Sequence, residues 1–254
     1  MRSFCSRIMD NHLIHFVHPV IDNKTMRIEF LEVLSRLDYE GEIIGPSEFL
    51  NDITINQKYI MAVKALTKIK QFQKIYPTLS FSINISTIEM EEGLIQFLEK
   101  LSEDKDIDAS RCVIEILETS SIRPLVLKAL EKLKEDYGYR FALDDFGAGY
   151  SNMKQMFVSN GLFEYIKIDG SLVAEIETSL PKNLALSAMV LAIQANKKKT
   201  IVEYITDNNV LEAMCDVGAD FLQGFVYCEP MPIEGFALKH LSQESFFCFE
   251  GSKI

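Results

Sequence analysis

The sequence predicts an α/β protein, a modified (β/α)8 TIM-type barrel with an antiparallel first strand, and three observations carry that reading. Short β-rich apolar runs alternate with longer segments of helical period, eight such runs fit within 254 residues, and the first two are joined by only a short link. Alternation calls for crossover connections and a largely parallel sheet. About 250 residues is the usual size of one closed barrel. A single domain is therefore expected over 1–254, with its informative core at about 10–235 and an unassigned tail at about 240–254.

The first strand is expected over 12–20 and the second over 26–35. The intervening Ile21–Thr25 is a hairpin-like link, so these two strands run antiparallel. A helix near 56–76 leads to a strand over 79–86, and a helix near 89–103 to a strand over 112–117. In the next helix, 122–137, Leu125, Leu127, Leu130 and Leu133 recur at close to the spacing of one buried helical face. Strands over 139–145, 164–169, 199–204 and 219–225 follow, separated by helices near 149–159, 183–197 and 207–216.

Composition narrows the function classes. Apolar residues make up 48 % and charged residues 25 %, the balance of a globular chain with a sizeable core. No apolar run approaches the roughly 20 residues needed to cross a bilayer, and the first twelve residues do not read as a secretory signal. No membrane insertion and a cytoplasmic location are the expectation. The net charge of −11, from 26 basic and 37 acidic residues, argues against a polymeric nucleic-acid partner, while leaving room for a small phosphorylated ligand. Five scattered cysteines without a CxxC pair argue against a disulfide framework or a zinc cluster. Cys112 and Cys215 read as small core residues.

The chemistry lies in a recurrence. Glu32, Asn84, Glu115, Asp144 with Asp145, Lys167, Glu203 and Gln223 each fall at or near the C-terminal end of an expected strand. In α/β barrels those ends converge on one face, where active sites are built. Taken singly, each has a plainer reading: a helix cap, a solvated loop residue, a satisfied core amide or a lysine reaching the surface. Together, five carboxylates in one mouth raise one another's pKa values unless cations sit among them. All the candidate ligands are oxygen donors, which suits Mg²⁺, Mn²⁺ or Ca²⁺ better than zinc. Adjacent aspartates are suited to bridging two ions about 3.5–4 Å apart, an arrangement that serves in-line phosphoryl displacement. Gly147 and Gly149 follow the aspartates and allow that loop to bend tightly over a ligand. A Schiff-base aldolase using Lys167 is a competing reading, opposed by the carboxylates that would keep the amine protonated.

These motifs resemble the EAL-domain family of cyclic di-GMP phosphodiesterases over about residues 10–235. Residues 30–37 (FLEVLSRL) resemble the segment that names the family, with Val33 where alanine is usual. Residues 82–86 (SINIS), 115–118 (EILE), 144–151 (DDFGAGYS), 167–169 (KID), 202–205 (VEYI) and 222–225 (LQGF) match further family segments in order. The resemblance implies hydrolysis of cyclic di-GMP to linear pGpG with two Mg²⁺ or Mn²⁺ ions, Ca²⁺ being inhibitory. It implies one ion on Glu32, Asn84, Glu115 and Asp144, and a second on Asp144, Asp145 and Glu203. Lys167 and Gln223 would act beside Glu203 at the attacking water. His18, Pro19, Leu34 and Arg36 would contact substrate, and Glu118 would anchor the loop bearing Gly147 and Gly149. The departures are His18 before Pro19, where glutamine is usual, and Leu117, Ala148, Tyr204 and Thr206, in place of threonine, threonine, glycine and glutamate. They leave open a silent relative that senses cyclic di-GMP or binds a protein. A homodimer, and a sensory or GGDEF domain in a longer parent protein, are further implications of the family likeness.

Overall fold

The computed structural model describes residues 8, 12–117, 122–147 and 161–241. Eight strands close a ring in the order β1 (Leu13–Asp22), β9 (Phe221–Leu222), β8 (Lys199–Val202), β7 (Tyr165–Ile168), β6 (Arg140–Phe146), β5 (Cys112–Leu117), β4 (Phe81–Asn84) and β2 (Ile28–Tyr39), with β2 returning to β1. β1 is antiparallel to both its ring neighbours, and every other ring contact is parallel. The hairpin turn is fixed locally: Asp22 Oδ1 accepts the amides of Lys24 at 2.9 Å and Thr25 at 2.7 Å. Two short strands not read from the sequence, β3 (Glu42–Ile44) and β10 (Met231–Pro232), extend the ring by pairing with β2 and β1.

Helices cover the outside. The longest, α1 (Ile55–Ile75), starts at Thr54, whose hydroxyl and amide exchange hydrogen bonds with Gln57, a reciprocal cap that satisfies two orphan amides. It is followed by α2 (Ile95–Glu103), α3 (Pro124–Lys132), α4 (Leu180–Ala195) and α5 (Asn208–Val217). The helix expected near 149–159 lies outside the described residues. Among the described residues no helix is long and apolar enough to cross a membrane.

Two corrections concern which side chains are covered. Leu125 is 82 % exposed, whereas Val126, Leu130 and Leu133 are buried. The covered face of α3 is thus spaced by four and three residues from Val126, and Leu125 falls on its outer side. Cys112 is buried in β5, but Cys215 is exposed on α5, where Val210, Met214 and Val217 form the covered stripe.

One large apolar cluster fills the space between ring and helices. A second, separate cluster plugs the barrel interior: Val20, Phe30, Val113, Ala142, Tyr165, Ile201 and Phe221. Tyr165 meets Phe30 and Phe221 edge to face, at centroid distances of 5.4 and 5.8 Å, a favoured aromatic geometry. This plug separates the two ends of the barrel, and it sets the register of the site above it.

Candidate active site at the strand C-termini

Side chains alternate across a strand with period two. The residue two places beyond each plug residue therefore points into the same barrel mouth. Those pairs are Phe30 and Glu32, Val113 and Glu115, Ala142 and Asp144, Tyr165 and Lys167, Ile201 and Glu203, and Phe221 and Gln223. Buried Ser82 stands in the same relation to Asn84. In β1, which runs the other way, His18 precedes Val20 by the same two residues.

Lys167 is 1 % exposed and lies at the centre. Its Nζ donates to Glu115 Oε2 at 2.5 Å, and lies 2.8 Å from Glu203 Oε1, 3.1 Å from Asp144 Oδ1 and 3.7 Å from Glu32 Oε1. Glu32 accepts from Asn84 Nδ2 at 2.6 Å and from Gln223 Nε2 at 2.7 Å. The same Gln223 nitrogen is 3.1 Å from His18 Nδ1. With the amide as donor, the neutral imidazole carries its proton on Nε2, an assignment made from the hydrogen-bond pattern.

Two adjacent aspartates in a regular strand would point to opposite faces. Here β6 carries an extra residue against β7: Leu143 pairs with Ile166 and Phe146 with Ile168. Asp145 takes up the slack with φ of 57°, a left-handed conformation that aspartate tolerates better than most residues. Bulges of this kind re-aim side chains. The result is that ligand oxygens of Asp144, Asp145 and Glu203 lie within 4.8 Å of one another. Gly147 follows at φ of 95°, where an added Cβ would meet Leu172 Cδ1 at 2.5 Å.

The electrostatics are those of a charge-deficient pocket. Burial pushes the Glu115 carboxyl well above its ordinary value; Lys167 opposes this, and Glu32 and Asp144 add to it. Burial likewise lifts Glu203 to about 7 against the pull of Lys167, with Asp144 and Glu32 contributing. Asp145 is raised by burial and by Asp144 and Asp169. Burial would raise Glu32 too, but Lys167, His18 and the amides of Gln223 and Asn84 outweigh it and hold that carboxyl low. Burial would lower Lys167; the surrounding carboxylates, Asp144 first, hold it well above its usual value. A lysine so protonated is no Schiff-base nucleophile. Glu115 Oε1 and Gln223 Oε1 are buried without a hydrogen-bond partner. An all-oxygen set with orphaned lone pairs fits hard divalent cations.

Two cavities flank this cluster. One, of about 610 Å³, is walled by His18, Glu32, Glu203, Tyr204, Gln223 and Phe225. The other, of about 380 Å³, is walled by Leu34, Lys58, Asn84, Glu89, Leu117 and Asp144 among others. His18 and Leu34 are thus at the cavities. Pro19, on the opposite face of β1 from His18, lines neither, and Arg36 lines neither. The Arg36 guanidinium donates to Ser35 O at 3.0 Å and sits 5.9 Å from the Phe16 ring centre. Glu118 and Gly149 lie outside the described residues. Asp169 and Glu89 also wall the cavities and were given no role from sequence; Asp169 follows Lys167 by two residues, a signal that was available.

A family profile described as EAL domain matches residues 2–230. Cyclic di-GMP phosphodiesterase PdeA of Borreliella burgdorferi is 26 % identical over 85 % of this chain, which spans 33 % of that relative's length. Cyclic di-GMP phosphodiesterase PdeB of Shewanella oneidensis is 25 % identical over 90 % of this chain, which spans 28 % of its length. The crystal structure of an EAL domain protein from Listeria monocytogenes superposes with a TM-score of 0.78 at 25 % identity, covering 94 % of this chain and 96 % of that one.

Proposed function

The chain belongs to the EAL domain family, and on that premise we propose that it hydrolyses cyclic di-GMP to linear pGpG with two divalent cations held at the barrel mouth. The observation that carries the reading is the convergence of Glu32, Glu115, Asp144 and Glu203 on a single ammonium, with Asp145 beside Asp144 and Glu203 and with Glu115 Oε1 buried and unpaired. Glu32, Asn84, Glu115 and Asp144 would hold one ion, and Asp144, Asp145 and Glu203 the other. When bound, the two ions supply charge neutralisation of the phosphodiester and activation of a water.

The chain's own groups do the rest. Lys167 keeps a fixed positive charge beside the position of the scissile phosphate, where it opposes the charge that grows in the transition state. Gln223 holds Glu32 and His18 in place through its amide. The cavities on either side of the carboxylates leave room for the two halves of a cyclic dinucleotide, one half on each side.

Purified protein supplied with cyclic di-GMP and Mg²⁺ or Mn²⁺ is expected to release pGpG, and Ca²⁺, which accepts looser coordination, is expected to block turnover. Binding of cyclic di-GMP without hydrolysis in either activating ion would establish a sensor instead. Undiminished turnover in Ca²⁺ alone would count against the two-ion arrangement.

A further inference from the structure

The larger cavity has a wall that the phosphodiesterase reading leaves unused. Tyr204 directly follows Glu203, is 62 % exposed and lines that cavity; Phe225, 57 % exposed, lines it too. Two exposed aromatic rings beside a buried carboxylate cluster are poorly matched to water. His18, on the same wall, is 8 % exposed. The cavity thus presents flat apolar faces beside the carboxylates.

Tyr204 is held there against local backbone preference. Its φ is 66°, a strained conformation for a bulky residue that persists where surrounding structure imposes it. Gly170 is what admits it: a Cβ at that position would lie 2.4 Å from Tyr204 Cβ and 2.9 Å from its Cγ. The missing side chain at 170 and the strained ring at 204 form a matched pair.

We propose that Tyr204 is a specificity-determining residue whose ring is the face on which a purine base of the bound nucleotide stacks. The proposal rests on the cyclic di-GMP reading and deepens it. Stacking on an aromatic ring is tolerant of the ring's own substituents, so ring and hydroxyl can be separated.

The test is a KM-against-kcat comparison with cyclic di-GMP. Tyr204→Gly is expected to raise KM about tenfold while kcat changes less than about threefold, and to leave Tm unchanged or higher because glycine relaxes the positive φ. Tyr204→Phe is expected to recover most of the loss. Gly170→Ala is expected to raise KM by displacing Tyr204, and to add nothing in the Tyr204→Gly background. The chain has no tryptophan, so Tyr204→Trp installs a sole indole whose emission is expected to be quenched as cyclic di-GMP is added. A Tyr204→Gly KM within twofold of wild type, a Tyr204→Phe loss equal to that of Tyr204→Gly, or indole emission unmoved at concentrations that saturate turnover overturns the proposal. Wild-type protein that neither binds nor hydrolyses cyclic di-GMP overturns the functional reading and this inference with it. Normal wild-type turnover with an unmoved Tyr204→Gly KM overturns this inference alone.

Discussion

At the strand N-termini, Glu29 and Glu164 face Arg140 and Lys199 around the hydroxyl end of Tyr165; at the strand C-termini, Glu32, Glu115, Asp144, Asp145 and Glu203 gather around Lys167. The floor is balanced. Arg140 reaches Glu29 at 2.7 Å and forks onto Glu164 with two bonds of 3.0 Å; Lys199 lies 3.1 Å from Glu164, and Tyr165 donates to Glu29. Both cations also sit over the Tyr165 ring, at 4.9 and 5.3 Å from its centre. The mouth has an excess of acid, orphaned oxygens and carboxyls pushed out of their ordinary range. The mouth set is also the more deeply buried of the two, Lys167 being 1 % exposed and Arg140 20 %. A charge set closed on itself stabilises a fold; a charge set left open selects a ligand of the missing sign.

The largest effect that separates the ends is on turnover. Glu32→Ala removes the group that joins Asn84, Gln223 and Lys167. Hydrolysis of cyclic di-GMP is expected to fall by about 10³-fold or more, in a protein that still folds but melts somewhat lower, because Asn84 and Gln223 lose their acceptor. Wild-type turnover in this variant would show that the mouth is not the site. Lys167→Ala should likewise cost rate far more than metal affinity; equal loss of both would give the lysine a structural role.

Ions should tell the ends apart next. A ligand at a hundred times its Kd stabilises by about 2.7 kcal/mol, which for a chain of this size is a rise in Tm of roughly 5–10 °C. Mn²⁺ or Mg²⁺ is expected to produce such a rise in the wild type and to lose it in Asp144→Asn. Arg140→Ala, at the floor, should keep the ion-induced rise while lowering Tm itself. It leaves Glu164 to Lys199 and Glu29 to Tyr165, at a cost of about 2 kcal/mol, so a fall of roughly 4–8 °C is expected with kcat within twofold. A floor variant that loses turnover while remaining folded would break the division.

The division was half visible in the sequence. The mouth could be read because seven of its polar residues recur near strand ends in successive β/α units, and the short 21–25 link exposed the reversed first strand. What could not be read depends on geometry across strands. That Asp144 and Asp145 share one face needs the extra residue of β6, which no residue type announces. That Leu125 is outside and Val126 inside depends on how α3 rolls onto the ring, because both are apolar. Cys215 was misread for the same reason, its apolar neighbours in sequence being on another side of α5. The floor was invisible: Glu29, Arg140, Glu164 and Lys199 sit at strand starts, where charged residues are ordinary, and only ring closure brings Glu29 against residues more than a hundred positions away.

The finest discrimination is by pH in metal-free protein, because Glu164 at the floor and Glu203 at the mouth should tilt stability in opposite directions. At the floor, burial would raise Glu164, but Arg140 and Lys199 outweigh it and hold the carboxyl below its ordinary value. A depressed carboxyl contributes stability above its unfolded pKa, and that contribution is lost as pH falls through the folded value. At the mouth, Glu203 rises from 4.5 to about 7, so the folded state holds a proton that the unfolded chain has released. Stability then declines as pH climbs from about 4.5 to about 7 and stays at the lower level above it. The metal-free wild type is therefore expected to lose Tm towards neutrality through Glu203, with Glu115 and Asp145 raised beside it, and to lose Tm in acid through Glu164 at the floor and Glu32 at the mouth. Glu203→Gln should make the neutral limb shallower and leave the acid limb intact, while Glu164→Gln should do the reverse. Melting curves from pH 3 to 8 read both limbs, and a neutral limb that survives Glu203→Gln unchanged would mean that the open charge at the mouth is carried by another group.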